Sequence, residues 1–565
     1  MRYLALACDY DGTLASGGRV DGSVLQALER VRASGRRLIL VTGRELPDLQ
    51  RVFPRLDLFD LVVAENGALL YDPASREETP LAEPPPPQFA EELARRGVNP
   101  LSRGRVIVAT WSPNETLVLQ CIRELGLELQ VIFNKGAVMV LPSGINKAFG
   151  LEEALTRLKL SRHNAVGVGD AENDHAFLDL CECSVAVANA LPSVKADVDT
   201  VTAGDHGEGV VELVHRLIDS DLQDCGRRRR EVSLGQSADG DELSTAAIGE
   251  NLLVAGASGS GKSSLAKNIL ASLRQWKYQF CIVDPEGDYE GLPEAVTVGD
   301  GENPPSLDEI WELLEQPQQN VVVNLLAVAI DQRPEFFERF LERIRPLRKS
   351  AGRPHRLILD EAHHLLPSSR PKELDLAEHS GSLILLTVHP DHVSRSALDS
   401  INHVLVVGKR PAESVRAFAD ATGREPPEPL PESDEKGALS WPLDSNRVIA
   451  FQPELPPEGH KRHKRKYAKG ELGDDKCFYF RGPDGQLNLK AENLMTFLRL
   501  ADGVDQQTWL YHLRRHDYSR WFRDAIKDES LAAEAEKVEE ANAASAEESR
   551  AAIRAAIEQR YTAPE

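Results

Sequence analysis

The chain has 565 residues, 41% of them hydrophobic and 27% charged, and a formal net charge of −23. That length exceeds what one hydrophobic core usually serves, so two or three soluble globular domains are expected. The charge excludes a protein that binds nucleic acid over its whole surface, while leaving room for a local basic channel.

Seven scattered cysteines (8, 121, 181, 183, 225, 281 and 477) fit reduced thiols in a cytoplasm. Cys181 and Cys183 lack a second pair to complete a metal site and read as small buried residues. The longest apolar runs, such as Val321–Ile330, are too short for a bilayer, and the chain opens on a strand without a signal-like head. A cytoplasmic protein with no membrane partner is expected.

Over residues 1–218, short apolar runs at Tyr3–Cys8, Leu38–Val41, Leu61–Ala64, Ala165–Val168 and Ser184–Ala188 alternate with helical segments. This rhythm predicts an α/β domain with a parallel sheet covered by helices, whose ligands bind at the carboxyl ends of the strands. Asp9 and Asp11 follow the first strand, Thr42 the second, and Asp170 and Asp174 a later one.

An isolated pair such as Asp9 and Asp11 in "DYDGTL" reads as a turn with solvated acids. Together with the other strand ends it can do more. One carboxylate can attack phosphorus, a second two residues on can protonate the leaving oxygen and then activate water, and crowded oxygen ligands suit Mg2+. The Thr42 hydroxyl and the Lys147 ammonium can bind the remaining phosphoryl oxygens.

"DYDGTL", "VTGR" at 41–44, Lys147 in "SGINKAFGLEEAL" and "GDAENDHAFL" at 169–178 occur in that order. As a set they resemble the haloacid dehalogenase superfamily of phosphatases. "ENGA" at 65–68 and "AVANALPSVKADVDTVT" at 186–202 look like its Cof-type branch, which includes sugar-phosphate phosphatases. The resemblance implies a Rossmann-like core with Asp9 as nucleophile and Asp11 as general acid/base. Thr42 and Lys147 would hold the phosphoryl group, and Asp9, Asp11, Asp170 and Asp174 would gather around Mg2+, with Asn173 in support. It also implies a cap at about 69–146 that closes over the site; strand-like runs at 105–110, 128–133 and 137–141 and a helix at 113–126 fit it. "AEPPPPQ" at 82–88 reads as a stiff connector.

Residues 219–245 read as a polar linker ending in a hairpin, with "RRRR" at 227–230 as a solvated run. Then "NLLVAGASGSGKSSLAKNIL" supplies strand, glycine-rich turn and helix, the context that the pattern GxxxxGK(S/T) requires. Gly256, Gly259 and Gly261 let backbone N–H groups curl around phosphates, Lys262 reaches the β- and γ-phosphates, and Ser263, with Ser264 beside it, faces Mg2+. "HRLILDEAHHLLP" ends a strand in Asp360, suited to hold Mg2+, and Glu361, placed to polarise a water. That pair favours ATP hydrolysis over kinase transfer. "DEAH" suggests a helicase, but a single RecA-like P-loop α/β domain at 246–425 does not make one.

"FCIVDPEGDYEGL" at 280–292 and the sensor strand, helix and last strand at 382–408 make 231–425 resemble the HerA–FtsK group of ATPases, typically hexameric DNA pumps. The likeness implies a homo-oligomer. Where that family commonly shows Thr-Gln-Arg-Pro, this chain has Thr387-Val388-His389-Pro390. Val388 cannot orient a γ-phosphate, and His389, like His363 and His364, reads as ordinary polar packing. Arg343, Arg345, Arg348, Arg395 and Arg410 are all candidates for a trans-acting arginine.

Residues 426–445 read as a proline-rich acidic linker, and 446–528 as a small α+β module. The module contains a basic run at 459–472, a hairpin at "CFYFRGPDGQLNL" and two short aromatic helices. Its aromatics read as a small domain core ahead of the alternative, a base-stacking surface. The Ala/Glu-rich tail, 529–565, reads as a solvated helix or a disordered segment. Two functional readings result. One is a Mg2+-dependent phosphatase for a small phosphate ester, joined to an ATP-binding domain that regulates or oligomerises it. The alternative is a DNA-associated translocase whose phosphatase processes nucleic-acid ends.

Overall fold

The computed structural model describes residues 2–560 except 223–229, 238, 258–259, 371–375, 377–381, 409, 432–436, 446, 455–476, 484, 486, 527 and 541–544. The basic run at 459–472, most of "RRRR" and Gly259 therefore lie outside the described residues.

The chain builds β1 (Ala5–Asp9), β2 (Arg37–Val41), β3 (Leu61–Ala64), β4 (Leu69–Asp72) and β5 (Glu77–Pro80) before entering the cap. It returns for β10 (Ala165–Gly169), β11 (Cys183–Ala186) and β12 (Thr200–Val201), closing a sheet of order β12-β11-β10-β1-β2-β3-β4-β5. The strands β12 to β3 run parallel, and β4 and β5 add an antiparallel edge. Helices cover both faces, so β1 and β10 are buried at every position and, up to Asp9 at the end of β1, read as apolar runs. The parallel α/β class expected from the sequence is what forms.

The cap is a four-stranded antiparallel sheet, order β6-β7-β9-β8, from β6 (Leu101–Arg103), β7 (Val108–Trp111), β8 (Leu129–Asn134) and β9 (Ala137–Pro142). Alternation splits its side chains. Val108, Val138 and Val140 pack on the helices Pro87–Arg95 and Glu115–Glu124, while Ile107, Met139 and Leu141 face the catalytic core. The proline run expected as a connector thus also starts a helix, because Pro87 stands where the first-turn N–H needs no partner.

A second sheet of eleven strands has the order β14-β13-β23-β22-β21-β15-β20-β19-β16-β18-β17. Its parallel part consists of β15 (Leu252–Ala255), β16 (Phe280–Asp284), β17 (Ala295–Val298), β18 (Asn320–Asn324), β19 (Arg356–Leu359), β20 (Leu383–Thr387) and β21 (His403–Val407). It is extended antiparallel by β13 (Glu231–Ser237), β14 (Glu242–Ala246), β22 (Ala438–Pro442) and β23 (Ile449–Pro453). These four strands carry residues that the sequence reading assigns to linkers and to the start of the C-terminal module. Their apolar positions, Val232, Leu234, Leu439 and Phe451, complete the cores on the two faces of this sheet.

The two sheets meet at the amino ends of their strands. Arg2, His163 and Glu182, which precede β1, β10 and β11, face Trp276, Tyr278 and His355, which precede β16 and β19. Their carboxyl ends, where ligands bind, point away from each other.

At the C-terminus, β24 (Phe478–Phe480) and β25 (Leu489–Ala491) form a hairpin against three helices, Leu494–Gly503, Gln506–Arg514 and Asp517–Asp524, one more than expected. Phe478, Phe480, Phe497, Trp509, Tyr518 and Phe522 are buried together, so they form a core and not a base-stacking surface. The reading of the tail is corrected. Helices Glu529–Glu540 and Ala546–Arg560 bring Leu531, Ala535, Ile553 and Ile557 into that core, and Ser549 accepts the Trp509 indole N–H at 2.9 Å. An alanine-rich stripe looks solvated until an aromatic surface is there to receive it. Five cysteines (8, 121, 181, 281 and 477) are free and buried, but Cys183 is disulfide-bonded, against the expectation of reduced thiols. Among the described residues, no helix is long and apolar enough to cross a membrane.

Candidate active sites

At the carboxyl edge of the first sheet, Asp9 ends β1, Thr42 follows β2, and Asp170 follows β10. Lys147 opens the helix Lys147–Arg157, where the Asn146 side chain accepts the Phe149 N–H and caps it. This entry aims Lys147 inward. Its Nζ donates to Asp9 Oδ1 at 2.5 Å and to Asp174 Oδ1 at 2.6 Å, and it is 1% exposed. The other Asp174 oxygen accepts the backbone N–H groups of Asp170 and Ala171, both at 2.9 Å. Asp174 therefore holds the turn and the lysine at once.

Asp9, Asp170 and Asp174 bring carboxylate oxygens within 4.8 Å of one another, a group able to hold a metal ion. Burial, then the Asp174 charge, pushes the Asp9 carboxyl upward, against the pull of Lys147. Burial also raises Asp170. Burial works against the Lys147 charge, yet Asp174 and Asp9 outweigh it and hold its pKa above the ordinary lysine value. So much acid in one low-dielectric place calls for further positive charge, and donors that are all oxygen suit a hard divalent ion. A cation already stands there: Lys135 Nζ lies 2.9 Å from Asp170 Oδ2 and 3.0 Å from the main-chain oxygen of Asp11.

Asp11 is not among the gathered carboxylates. Both its oxygens accept from Arg44, at 2.6 and 2.7 Å, and only its main-chain oxygen faces the cation position. Arg44 is the last residue of "VTGR", quoted as a motif but given no role by the sequence reading. Lys135 and Glu65 were also missed. Glu65, buried, accepts N–H groups of the cap loop from Arg105 (2.8 Å), Val106 (2.8 Å) and Ile107 (3.0 Å). The "ENGA" motif was the only signal for it. Asn173 donates to the Asn66 side chain at 3.0 Å.

Between core and cap lies a cavity of about 470 Å³. Asp9, Asp11, Arg44 and Lys147 line its charged floor; Trp111 and Met139 line its cap side.

In the second sheet, β15 runs into Gly256 and the helix Lys262–Gln275. Gly256 has φ +153°, and a Cβ there would stand 2.2 Å from the Val407 oxygen, so only glycine lets the loop pass. Gly261 caps the helix at φ +109°, and Ser263 and Ser264 follow Lys262 in its first turn. Lys262 Nζ donates to the Gly256 oxygen at 2.9 Å; burial lowers its pKa, against the pull of Glu361 and Asp360.

Strand β20 lies between β15 and β19, so Thr387 at its end stands between the glycine loop and the Asp360–Glu361 pair. Asp360 is buried, and burial followed by the Glu361 charge raises its pKa. His363 Nδ1 is 3.1 Å from Thr387 Oγ1 and 3.5 Å from Glu361 Oε2. The His363 ring thus meets the sensor strand's hydroxyl, a contact the sequence reading did not single out, while His389 meets the same hydroxyl through its main-chain N–H and oxygen. Asp284, at the end of β16, spends its oxygens on the backbone N–H groups of Glu286 to Tyr289 and shapes that turn.

Comparison with known proteins agrees with both regions. The haloacid dehalogenase-like hydrolase family matches residues 6–94 and 118–214, and an AAA domain matches 249–393. A phosphoglycolate phosphatase of Methanothermobacter thermautotrophicus is 28% identical over 224 residues, which cover 38% of this chain and 98% of that protein. One from Haloarcula marismortui is 30% identical over 218 residues, covering 37% and 95%. The solved structure of a haloacid dehalogenase-like hydrolase from Bacteroides thetaiotaomicron covers 38% of this chain and 99% of its own at 21% identity and a TM-score of 0.34. Through its N-terminal part the chain belongs to the haloacid dehalogenase-like hydrolases, and an AAA-type P-loop domain follows.

Proposed function

We propose that residues 1–218 form a Mg2+-dependent phosphatase for a small phosphomonoester, and that the P-loop unit binds and hydrolyses ATP in a regulatory or oligomerising role. The observation that carries the first half is the Lys147 ammonium shared by Asp9 and Asp174 beneath a capped cavity. An Asp9 oxygen attacks phosphorus as the ester P–O bond breaks, and Asp11 gives a proton to the departing alkoxide. Water then attacks the aspartyl-phosphate, Asp11 takes the water's proton, and inorganic phosphate leaves. Asp11 has to release Arg44 to reach the leaving oxygen. Thr42 and Lys147 hold the phosphoryl oxygens. Asp9, Asp170 and the main-chain oxygen of Asp11 would hold Mg2+, which offsets phosphate charge.

The relatives are phosphoglycolate phosphatases, so phosphoglycolate heads the substrate candidates beside sugar phosphates. In the second unit, Gly256, Gly261, Lys262, Ser263, Ser264 and Asp360 would hold ATP and its Mg2+, and Glu361 would polarise the attacking water. The HerA–FtsK likeness favours a homo-oligomer, and the soluble composition a cytoplasmic setting. The test is phosphate release from a panel of these esters, and ATP turnover with and without DNA. No ester cleaved above background would refute the first half, and DNA-stimulated turnover would favour the translocase alternative.

A further inference from the structure

We propose that Lys135, at the tip of the cap hairpin, is a built-in counter-ion for the cation position of the phosphatase site, so that this cap contact and a bound divalent ion exclude each other. The inference rests on the Mg2+ reading above and adds a residue of the cap to it.

Asn134 pairs with Ala137, leaving Lys135 and Gly136 as a two-residue turn between β8 and β9. Their φ values of 48° and 88° are those a tight hairpin demands. This fixed turn extends the Lys135 side chain across the gap from cap to core. Its ammonium meets Asp170 Oδ2 at 2.9 Å and the Asp11 main-chain oxygen at 3.0 Å, oxygens from two different strand ends. Below it, Gly12 leaves the room: a Cβ there would stand 2.4 Å from Asp170 Oδ2 and 2.7 Å from Lys135 Nζ.

Asp170 is 4% exposed, and among the described residues its other oxygen accepts from the Thr13 hydroxyl, at 3.3 Å, so Lys135 is the ammonium in direct contact with this carboxylate. A Mg2+ ion sits about 2.1 Å from its oxygens. An ion on these two oxygens would leave no place for the ammonium and would repel it. The lysine side chain is 49% exposed, and half-exposed pairs are held weakly, so a divalent ion can displace it. Cap closure through Lys135 and metal loading then compete for one position.

The experiment is calorimetric titration of Mg2+, with Mn2+ as a second probe, into the full chain without substrate. Lys135→Asn suits the left-handed turn and cannot reach Asp170; Lys135→Gln is the second variant. Both should bind the ion about two- to fivefold more tightly than the parent, the factor expected for removing one competing contact of a half-exposed lysine. In EDTA they should unfold at lower temperature than the parent, and saturating Mg2+ should close that gap. Equal or weaker affinity in both variants overturns the proposal while leaving the Mg2+ reading intact. Absence of divalent binding in parent and variants overturns that reading and the proposal with it.

Discussion

Tyr278 donates its hydroxyl to the Glu182 carboxylate at 2.8 Å, and the two residues lead into strands of different sheets. The same carboxylate, 1% exposed, accepts Arg2 and Arg230 at 2.6 Å each and faces His163 Nδ1 at 2.8 Å. His163 stacks on Tyr278 with ring centroids 3.6 Å apart and meets the Trp276 oxygen with Nε2. Oxygens face both ring nitrogens, yet burial lowers the His163 pKa against the pull of Glu182. This network joins the phosphatase and ATPase sheets back to back.

Removing Glu182 strands two arginines in a buried place, so Glu182→Gln should destabilise the chain by about 3 kcal/mol. Tyr278→Phe removes one hydrogen bond and should cost about 1–2 kcal/mol. Denaturant melts checking both should show the larger loss for Glu182→Gln.

The same carboxyl sets a pH dependence. Burial opposes its charge, but His163, Arg2 and Arg230 bring it from the ordinary 4.5 down to about 2. A lowered carboxyl contributes its stability fully above about pH 4.5 and loses it as pH falls toward 2. Thermal midpoints between pH 6 and 3 should drop more steeply in the parent than in Glu182→Gln. Parallel curves would show that the carboxylate is not the acid-labile element.

Asp9→Asn should reduce phosphate release from any cleaved ester by more than about a thousandfold. Since the two carboxyl edges point apart, ATP turnover in that variant should stay at the parent level. A matching loss of ATP turnover would mean that the sites are coupled through the shared interface.

Lys262→Ala should weaken nucleotide binding at least about tenfold, the scale of a charge-assisted hydrogen bond. Glu361→Gln should retain nucleotide affinity and lose turnover by about a hundredfold or more. Fluorescent-nucleotide binding alongside phosphate release separates the two effects.

Glu65→Ala would leave three cap N–H groups without their acceptor. Amide exchange at Arg105, Val106 and Ile107 should accelerate by about tenfold or more, matching a loss of about 1–3 kcal/mol. Unchanged exchange there would mean that other contacts hold the cap loop.

What the sequence by itself determined is local. A buried parallel strand must be apolar along its length, and its carboxyl end is where a polar residue meets a ligand, so the positions of Asp9, Thr42, Asp170 and Asp360 could be read from the runs before them. The glycine loop could be read too, because only a few backbones wrap an anion and glycine permits them. Tertiary structure alone decided the pairings between distant segments: Arg44 with Asp11, Lys135 with Asp170, Glu65 with the cap loop, and Glu182 with Tyr278. It also drew strands on both sides of the P-loop core into one sheet and seated the Ala/Glu-rich helices on an aromatic core. Such contacts depend on how separate surfaces pack, and an isolated Lys135 or Glu182 looks in sequence like any other surface charge.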